Sequence, residues 1–349
     1  MSASTTELGL RAGDWVVVRS REEILATLDA GARLQGLLFQ PEMLAYCGRR
    51  MQVAKVAHKT CDTITKTGGR RMHATVHLRD ARCNGAAHGG CEADCVFFWK
   101  EAWLRRPDAP AAAAATPAAC SEADVLRAAC LGSAAAGEDT VWVCQTTTLL
   151  DASEPLPWWD VRQYVRDVTS GNHSVGHMIK IIGRAAYRKL LGLGFGYGLL
   201  VRLYDTAAQR LGGEPLPIVE GTIAEGAPTP HEVLDLKPGE WVEVKSTAQI
   251  AATITRNGFN RGMRYDPEMA KYSGRRFRVQ MRVERLISEQ TGRMLHMKSP
   301  CIQLEDVYCR AECTSARLGC PRASNTYWRE IWLKRTAAPE TDSAQSGSG

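Results

Sequence analysis

The chain has 349 residues and a mass of 38.3 kDa, a length for two domains, or three, each able to bury a core. With 44% hydrophobic and 23% charged residues it is neither wholly disordered nor a membrane protein, and a net charge of +6 permits contact with nucleic acid or anionic lipid without requiring it. Its twelve cysteines are too few for a disulfide miniprotein and are conspicuously clustered.

The first ten residues lack the basic and apolar regions of a secretory leader. The longest uncharged apolar run, 190–201, has twelve residues, against roughly 18–20 needed to span a bilayer. The expectation is therefore a cytoplasmic protein with no transmembrane segment. In that compartment thiols stay reduced, and clustered Cys points to metal or catalysis rather than disulfides.

In chain order, residues 11–106 open with a Gly13-Asp14 turn and the β-branched strand Trp15–Val18. Ser20, with Glu23 three positions on, predicts a capped helix over 21–30. Thr67-Gly68-Gly69 reads as a hairpin turn, and Trp99 with Trp103 closes the segment at a spacing that favours a helical turn over a strand. Residues 107–139 are Ala-rich and read as a flexible insertion, with an isolated helix over 121–131.

Residues 140–228 read as a helical connector that includes Trp158-Trp159-Asp160. His173 and His177 lie four apart without an acidic third ligand in sequence, the pattern of a solvated surface pair. Lys180, Arg184 and Arg188 alternate with apolar residues over 178–191. Membrane-surface contact is one reading of that stretch; an ordinary helix packing its apolar side is the preferred one. Gly192 to Gly198 alternates glycine with apolar residues and lacks a nucleotide-binding register.

Residues 229–336 repeat the first segment at an offset of 226, with 17 identities in the 41 positions from 13 to 53. Pro41-Glu42-Met43 recurs as Pro267-Glu268-Met269, and Trp99–Leu104 recurs as Trp328–Leu333. Here Thr291-Gly292 marks the hairpin, between Phe277–Val283 and Met294–Met297. The tail, 337–349, is small and polar and is expected to be disordered. The fold class expected is mainly β (α+β): two tandem, duplicated barrels of roughly 95 residues joined by a helical connector.

Cys83, Cys91 and Cys95 follow a C-x7-C-x3-C spacing, preceded by Cys61 and interleaved with His88 in a Gly-rich run. Cys301, Cys309 and Cys313 repeat that spacing and are followed by Cys320. Four thiolates are a natural ligand set for tetrahedral zinc or for an iron–sulfur cluster. Cys61, Cys83, Cys91 and Cys95 are thus one expected site, with His88 able to replace a thiolate. Cys301, Cys309, Cys313 and Cys320 are the second. Zinc is the favoured metal, an iron–sulfur cluster the alternative. Cys120, Cys130 and Cys144 read as small packed residues, and so does Cys47, which exchanges with Ser273 between the copies.

Arg49-Arg50 and Arg275-Arg276, beside Tyr46 and Tyr272, could grip phosphate or stack on bases, leaving RNA as a weakly supported partner. No catalytic triad, phosphate-binding loop or paired-carboxylate signature is present in the sequence.

Tyr46-Cys47-Gly48-Arg49-Arg50, Cys61-Asp62-Thr63, His88-Gly89-Gly90-Cys91 and Phe98 to Leu104 resemble a group of bacterial two-copy, Cys-rich proteins. The resemblance covers both repeats and the Trp158-Trp159-Asp160 connector, and it implies no activity and no catalytic residue. The Gly-Asp/Glu-Trp-Val opening of each copy is similar to the first strand of SH3-like and KOW-like barrels, folds that host many functions. The functional expectation is a metal-stabilised binding or scaffold protein. Its alternative is a metalloenzyme or iron–sulfur redox protein acting on a small molecule through the first cluster.

Overall fold

A computed structural model of the chain describes residues 7–110, 119–131, 140–191, 199, 203, 206, 219–312 and 317–338. Cys313, the Gly-alternating stretch 192–198, parts 111–118 and 132–139 of the Ala-rich insertion, and 339–349 of the tail lie outside the described residues. The fold is mixed α/β with mostly small antiparallel sheets, and no described helix is long and apolar enough to cross a membrane. Two compact units are present: Met1–Phe195 with Arg285–His296 and Cys309–Ser324, and Gly196–Glu284 with Met297–Tyr308 and Asn325–Gly349.

The first unit is built on a five-stranded sheet in the order Trp99–Lys100, Thr75–Leu78, Arg50–Val56, Trp15–Val18, Leu104–Arg105. Strand alternation decides its faces: Val16 and Val18 are fully buried, whereas Trp15 is exposed and carries the Arg50 guanidinium over its ring. The Ser20–Glu23 capping box forms, and the helix it starts spans Arg21–Leu25 before a turn ends it. The closing Trp motif is strand, one 3₁₀ turn and strand, so its spacing of four places both indoles in the core rather than marking an α-helix. Phe39 meets Trp103 and Trp99 edge-on at 5.2 and 6.3 Å. Each buried indole is worth about 4–6 kcal/mol of transfer free energy.

Within the Ala-rich insertion, Ser121 caps a helix over Glu122–Ala128. Cys120 and Val125 from this segment are buried in the main core, so this part is an integral element. In the connector, Glu154–Leu156 pairs with Gly69–Arg71, which in turn pairs with Lys59–Cys61. The helix Val175–Leu191 buries Met178, Ile181 and Ala185 against Leu318, as an ordinary amphipathic helix does. Arg184 is buried too, 3.5 Å from Glu312, while Lys180 faces solvent.

The second unit repeats the order of elements: strand Trp241–Val244, capped helix Thr247–Ala251, a short hairpin, a 3₁₀ turn Pro267–Tyr272, and the closing strand Leu333–Arg335. A four-stranded sheet runs Met294–Leu304, Arg276–Ile287, Trp241–Val244, Leu333–Arg335, and the expected hairpin turn at Thr291-Gly292 falls in the 285–296 segment of the first unit. Individual hydrogen bonds recur. Trp103 Nε1 donates to Thr27 Oγ1 at 3.1 Å, and Trp332 Nε1 to Thr253 Oγ1 at 3.0 Å. Tyr46 donates to Arg82 O, and Tyr272 to Tyr308 O, each at 3.3 Å. Glu101 and Glu330, both buried, each accept two backbone N–H groups from the segment that precedes the first strand.

Candidate metal centre

The centre lies in the first unit, on the loop between Leu78 and Trp99. An isolated bridge, Arg82 to Val96, pins its ends, and the Cys83 N–H donates to Cys95 O at 2.8 Å. Between them the chain coils tightly: His88 and Gly90 N–H both donate to Gly85 O, at 2.9 and 3.0 Å, and Cys91 N–H donates to His88 O at 3.1 Å. Gly85 has φ +68°, and a Cβ there would stand 2.0 Å from Cys91 O. Only glycine fits, so the Gly-rich run is what lets Cys83 and Cys91 turn toward one another.

Cys83, Cys91, Cys95 and His88 line one small cavity of about 40 Å³, together with Gln40, Thr146, Ile287 and Glu289. Cys144 is the fourth cysteine on its wall. It is presented by its neighbour Gln145, which is buried and fully bonded. Gln145 donates from its backbone to Gln40 Oε1 (3.0 Å) and from Nε2 to Leu38 O (2.9 Å) and Phe98 O (2.8 Å). Its Oε1 accepts from Phe98 N–H at 2.8 Å. Cys91 Sγ accepts from Ile287 N–H at 3.4 Å, and Cys83 Sγ from Gln40 Nε2 at 3.7 Å.

Burial pushes the thiols of Cys83, Cys91 and Cys95 up, and the Glu42 carboxylate adds to the rise at Cys83. With no cation these groups are neutral thiols. A bound cation would reverse that balance, and ligation would release protons.

Among the described residues, Glu42, Cys83 and His88 are the one group of three ligand-type side chains with donor atoms within 4.8 Å of each other. Both ring nitrogens of His88 are already engaged by hydrogen bonds, whereas Glu42 Oε2 is buried without a partner. His88 Nδ1 meets Glu42 Oε1 at 2.7 Å and its Nε2 meets Val143 O at 3.0 Å, so ligation through His88 would break one of these contacts. Burial works to raise the Glu42 carboxyl, and the bond and charge of His88 outweigh it, so its pKa is lowered. The four cavity thiols sit on a wider frame than this triad. A ZnS₄ tetrahedron with Zn–S of about 2.3 Å needs sulfurs about 3.8 Å apart, whereas an iron–sulfur cluster holds its cysteines at separate corners.

Cys61 is absent from this cavity. It lies on the strand Lys59–Cys61, paired with Gly69–Arg71, and packs with Cys320 and Ala311, with Cys309 at the edge. Of the second expected quartet, Cys309 and Cys320 belong to the first unit, Cys301 is buried in the second unit with Sγ 4.0 Å from Val283 O, and Cys313 lies outside the described residues. Three of the first four expected cysteines thus line one cavity together with Cys144, and Cys61 lies outside it. Nothing in the local spacing marks Cys144; its only sequence signal is that it lies outside the repeat, beside a polar Gln-Thr-Thr-Thr run.

The remaining candidates read as structural. Cys47 is half-buried, and burial pushes its thiol up to about 11, the opposite of an activated nucleophile. His173 and His177 stack at 4.9 Å, and burial beside Lys55 holds His173 down to about 4. Tyr272 is buried and Tyr46 packs edge-on against Trp99 and Phe97, while Arg49 and Arg50 are exposed at the start of their strand. No protein-family model and no curated protein matches the chain.

Proposed function

We propose that the protein is an iron–sulfur protein whose cluster is held by Cys83, Cys91, Cys95 and Cys144 in the first unit. The observation that carries this reading is the convergence of four cysteines, one from far along the chain, on a single small cavity. The wide spacing of the thiols and the prior engagement of His88 favour a cluster over a single zinc ion. Redox work on a small molecule or electron transfer is the function class that such a centre serves. A cytoplasmic location goes with it, since cluster thiolates persist in a reducing compartment.

The two halves, on this reading, descend from one duplicated SH3-like barrel domain. Their matched element order and hydrogen bonds support that descent. The halves then diverged at the ligands. The Cys83–Cys95 backbone bond has its counterpart in Cys309 and Ser324, so a serine stands where the first copy has Cys95. The first copy keeps Cys83, Cys91 and Cys95, and Cys144 comes from outside the repeat.

Protein purified without oxygen should contain iron and acid-labile sulfide and show broad visible absorption that bleaches with dithionite. Colourless protein holding zinc would return the account to a metal-stabilised scaffold built around Glu42, Cys83 and His88. Well-folded, metal-free protein would overturn both.

A further inference from the structure

Cys61 and Cys320 form a second cysteine pair in the first unit, outside the four-cysteine cavity. Both are nearly buried, at 8% and 9% exposure, and both are thiols rather than a disulfide in this structure. They pack in one small buried cluster with Ala311, Cys309 at its edge, and the neighbouring Cys320 thiol is the main group that favours a charged Cys61. The buried guanidinium of Arg322, two residues beyond Cys320, lies beside them. It donates to Thr63 Oγ1 at 3.1 Å, two residues beyond Cys61, and to Glu289 Oε1 at 2.7 Å. The neighbouring thiol and a fixed cation both favour the Cys61 thiolate, and its pKa is lowered by Cys320 first and Arg322 second, against burial. Cys320 is driven the other way, by Cys61 and by burial.

We propose that Cys61 and Cys320 are a reversible redox dithiol, closed to a disulfide by a small peroxide. Cys61 is the attacked thiol and Cys320 the resolving one. In the first step the Cys61 thiolate displaces hydroxide from hydrogen peroxide, breaking the O–O bond and forming a sulfenic acid; the hydroxide takes a proton and leaves as water. In the second, the Cys320 sulfur attacks the Cys61 sulfur, and the sulfenic oxygen departs as water with the Cys320 proton. Two thiols are oxidised by two electrons and one peroxide is reduced to two waters. A bulky oxidant is kept out by the burial of both sulfurs, whereas peroxide is water-sized. An external thiol reductant, which must touch a sulfur, reverses the bond by exchange through local opening of the site.

Trypsin makes this testable, because Cys61 and Cys320 fall alone on the peptides 60–66 and 318–322, while Cys83, Cys91 and Cys95 share 83–100 and Cys309 lies on 299–310. Full-length protein, purified without oxygen, is treated with a few equivalents of hydrogen peroxide, unfolded in guanidinium containing N-ethylmaleimide so that buried thiols react, digested and mapped by mass spectrometry. The expected result is loss of singly alkylated 60–66 and 318–322 in equal amounts, with appearance of the linked pair, reversed by dithiothreitol. Separate alkylation of both peptides, irreversible oxidation of Cys61, or a link from 60–66 to 299–310 would overturn the proposal. In Cys320→Ser, Cys61 should stop at the sulfenic acid and be trapped when the peroxide-treated protein is unfolded in the presence of dimedone; a variant that was folded during the peroxide treatment and yields no adduct overturns the assignment of Cys61 as the attacked thiol. If that variant does not fold, the peptide map of the unaltered protein decides alone. Peptide 83–100 takes no part in the link, so this outcome stands apart from the fate of the metal centre.

Discussion

At the scale of single residues, the centre depends on side chains whose environment is hostile to charge until a cation arrives. Burial favours the neutral thiols of Cys83, Cys91 and Cys95, so on the proposed reading binding of a cluster would expel protons and weaken as pH falls. Gly85 sets the loop that carries them. Gly85→Ala would force a side chain into a φ of +68° and against the Cys91 carbonyl, costing about 1–3 kcal/mol. Its expected outcome is a lower denaturant midpoint together with loss of bound iron. His77 gives a separate signature. It is fully buried, its Nδ1 donates to Phe97 O at 2.9 Å, and desolvation lowers its pKa from 6.5 to about 4. The native state therefore keeps it neutral while the unfolded chain protonates below 6.5. Stability from this group is complete above pH 6.5 and is lost as pH falls toward 4, by about 3 kcal/mol. Urea titrations between pH 7 and 4 should show that slope, and His77→Gln should flatten it.

At the scale of elements, much of the local structure is legible because the signals are short-range. The Ser20 and Ser246 capping boxes, the Thr291-Gly292 turn and the buried alternation of Val16 and Val18 all rest on residues within a few positions of each other. Cys83, Cys91, Cys95 and His88 were readable for the same reason, since one loop carries them all. Cys144 was not. Its place depends on Gln145 threading hydrogen bonds to Leu38, Gln40 and Phe98, contacts between segments that no local pattern reports. The position of Cys61 depends likewise on a strand pairing and on Cys320, far along the chain. Gln145→Ala tests this element directly. It would leave the Leu38 and Phe98 backbone groups unpaired in the core, at about 1–3 kcal/mol for each unsatisfied group. Thermal unfolding should fall by many degrees, and iron content should drop although every cysteine is still present.

At the scale of the whole molecule, the sequence repeat and the compact units do not coincide. Residues 285–296 and 309–324 belong to the second copy in sequence and to the first unit in structure. They supply Leu318 to the connector helix, Ile287 and Glu289 to the cavity wall, and Arg322 beside Cys61. Such exchange is invisible to a repeat-finding argument, which assigns each segment to the copy it resembles. A chain truncated after residue 195 should therefore be incomplete. It is expected to be rapidly degraded in limited proteolysis and to bind no iron under conditions that load the full chain.

The measurement that bears most directly on the central claim compares Cys144→Ser with Cys61→Ser, each purified without oxygen and assayed for iron, sulfide and visible absorption. The account predicts that Cys144→Ser loses the cluster or holds it in a labile, altered form, while Cys61→Ser retains it in full. A Cys144→Ser protein with unchanged cluster content, alongside a Cys61→Ser protein that has lost it, would contradict the assignment of Cys83, Cys91, Cys95 and Cys144 as the ligand set.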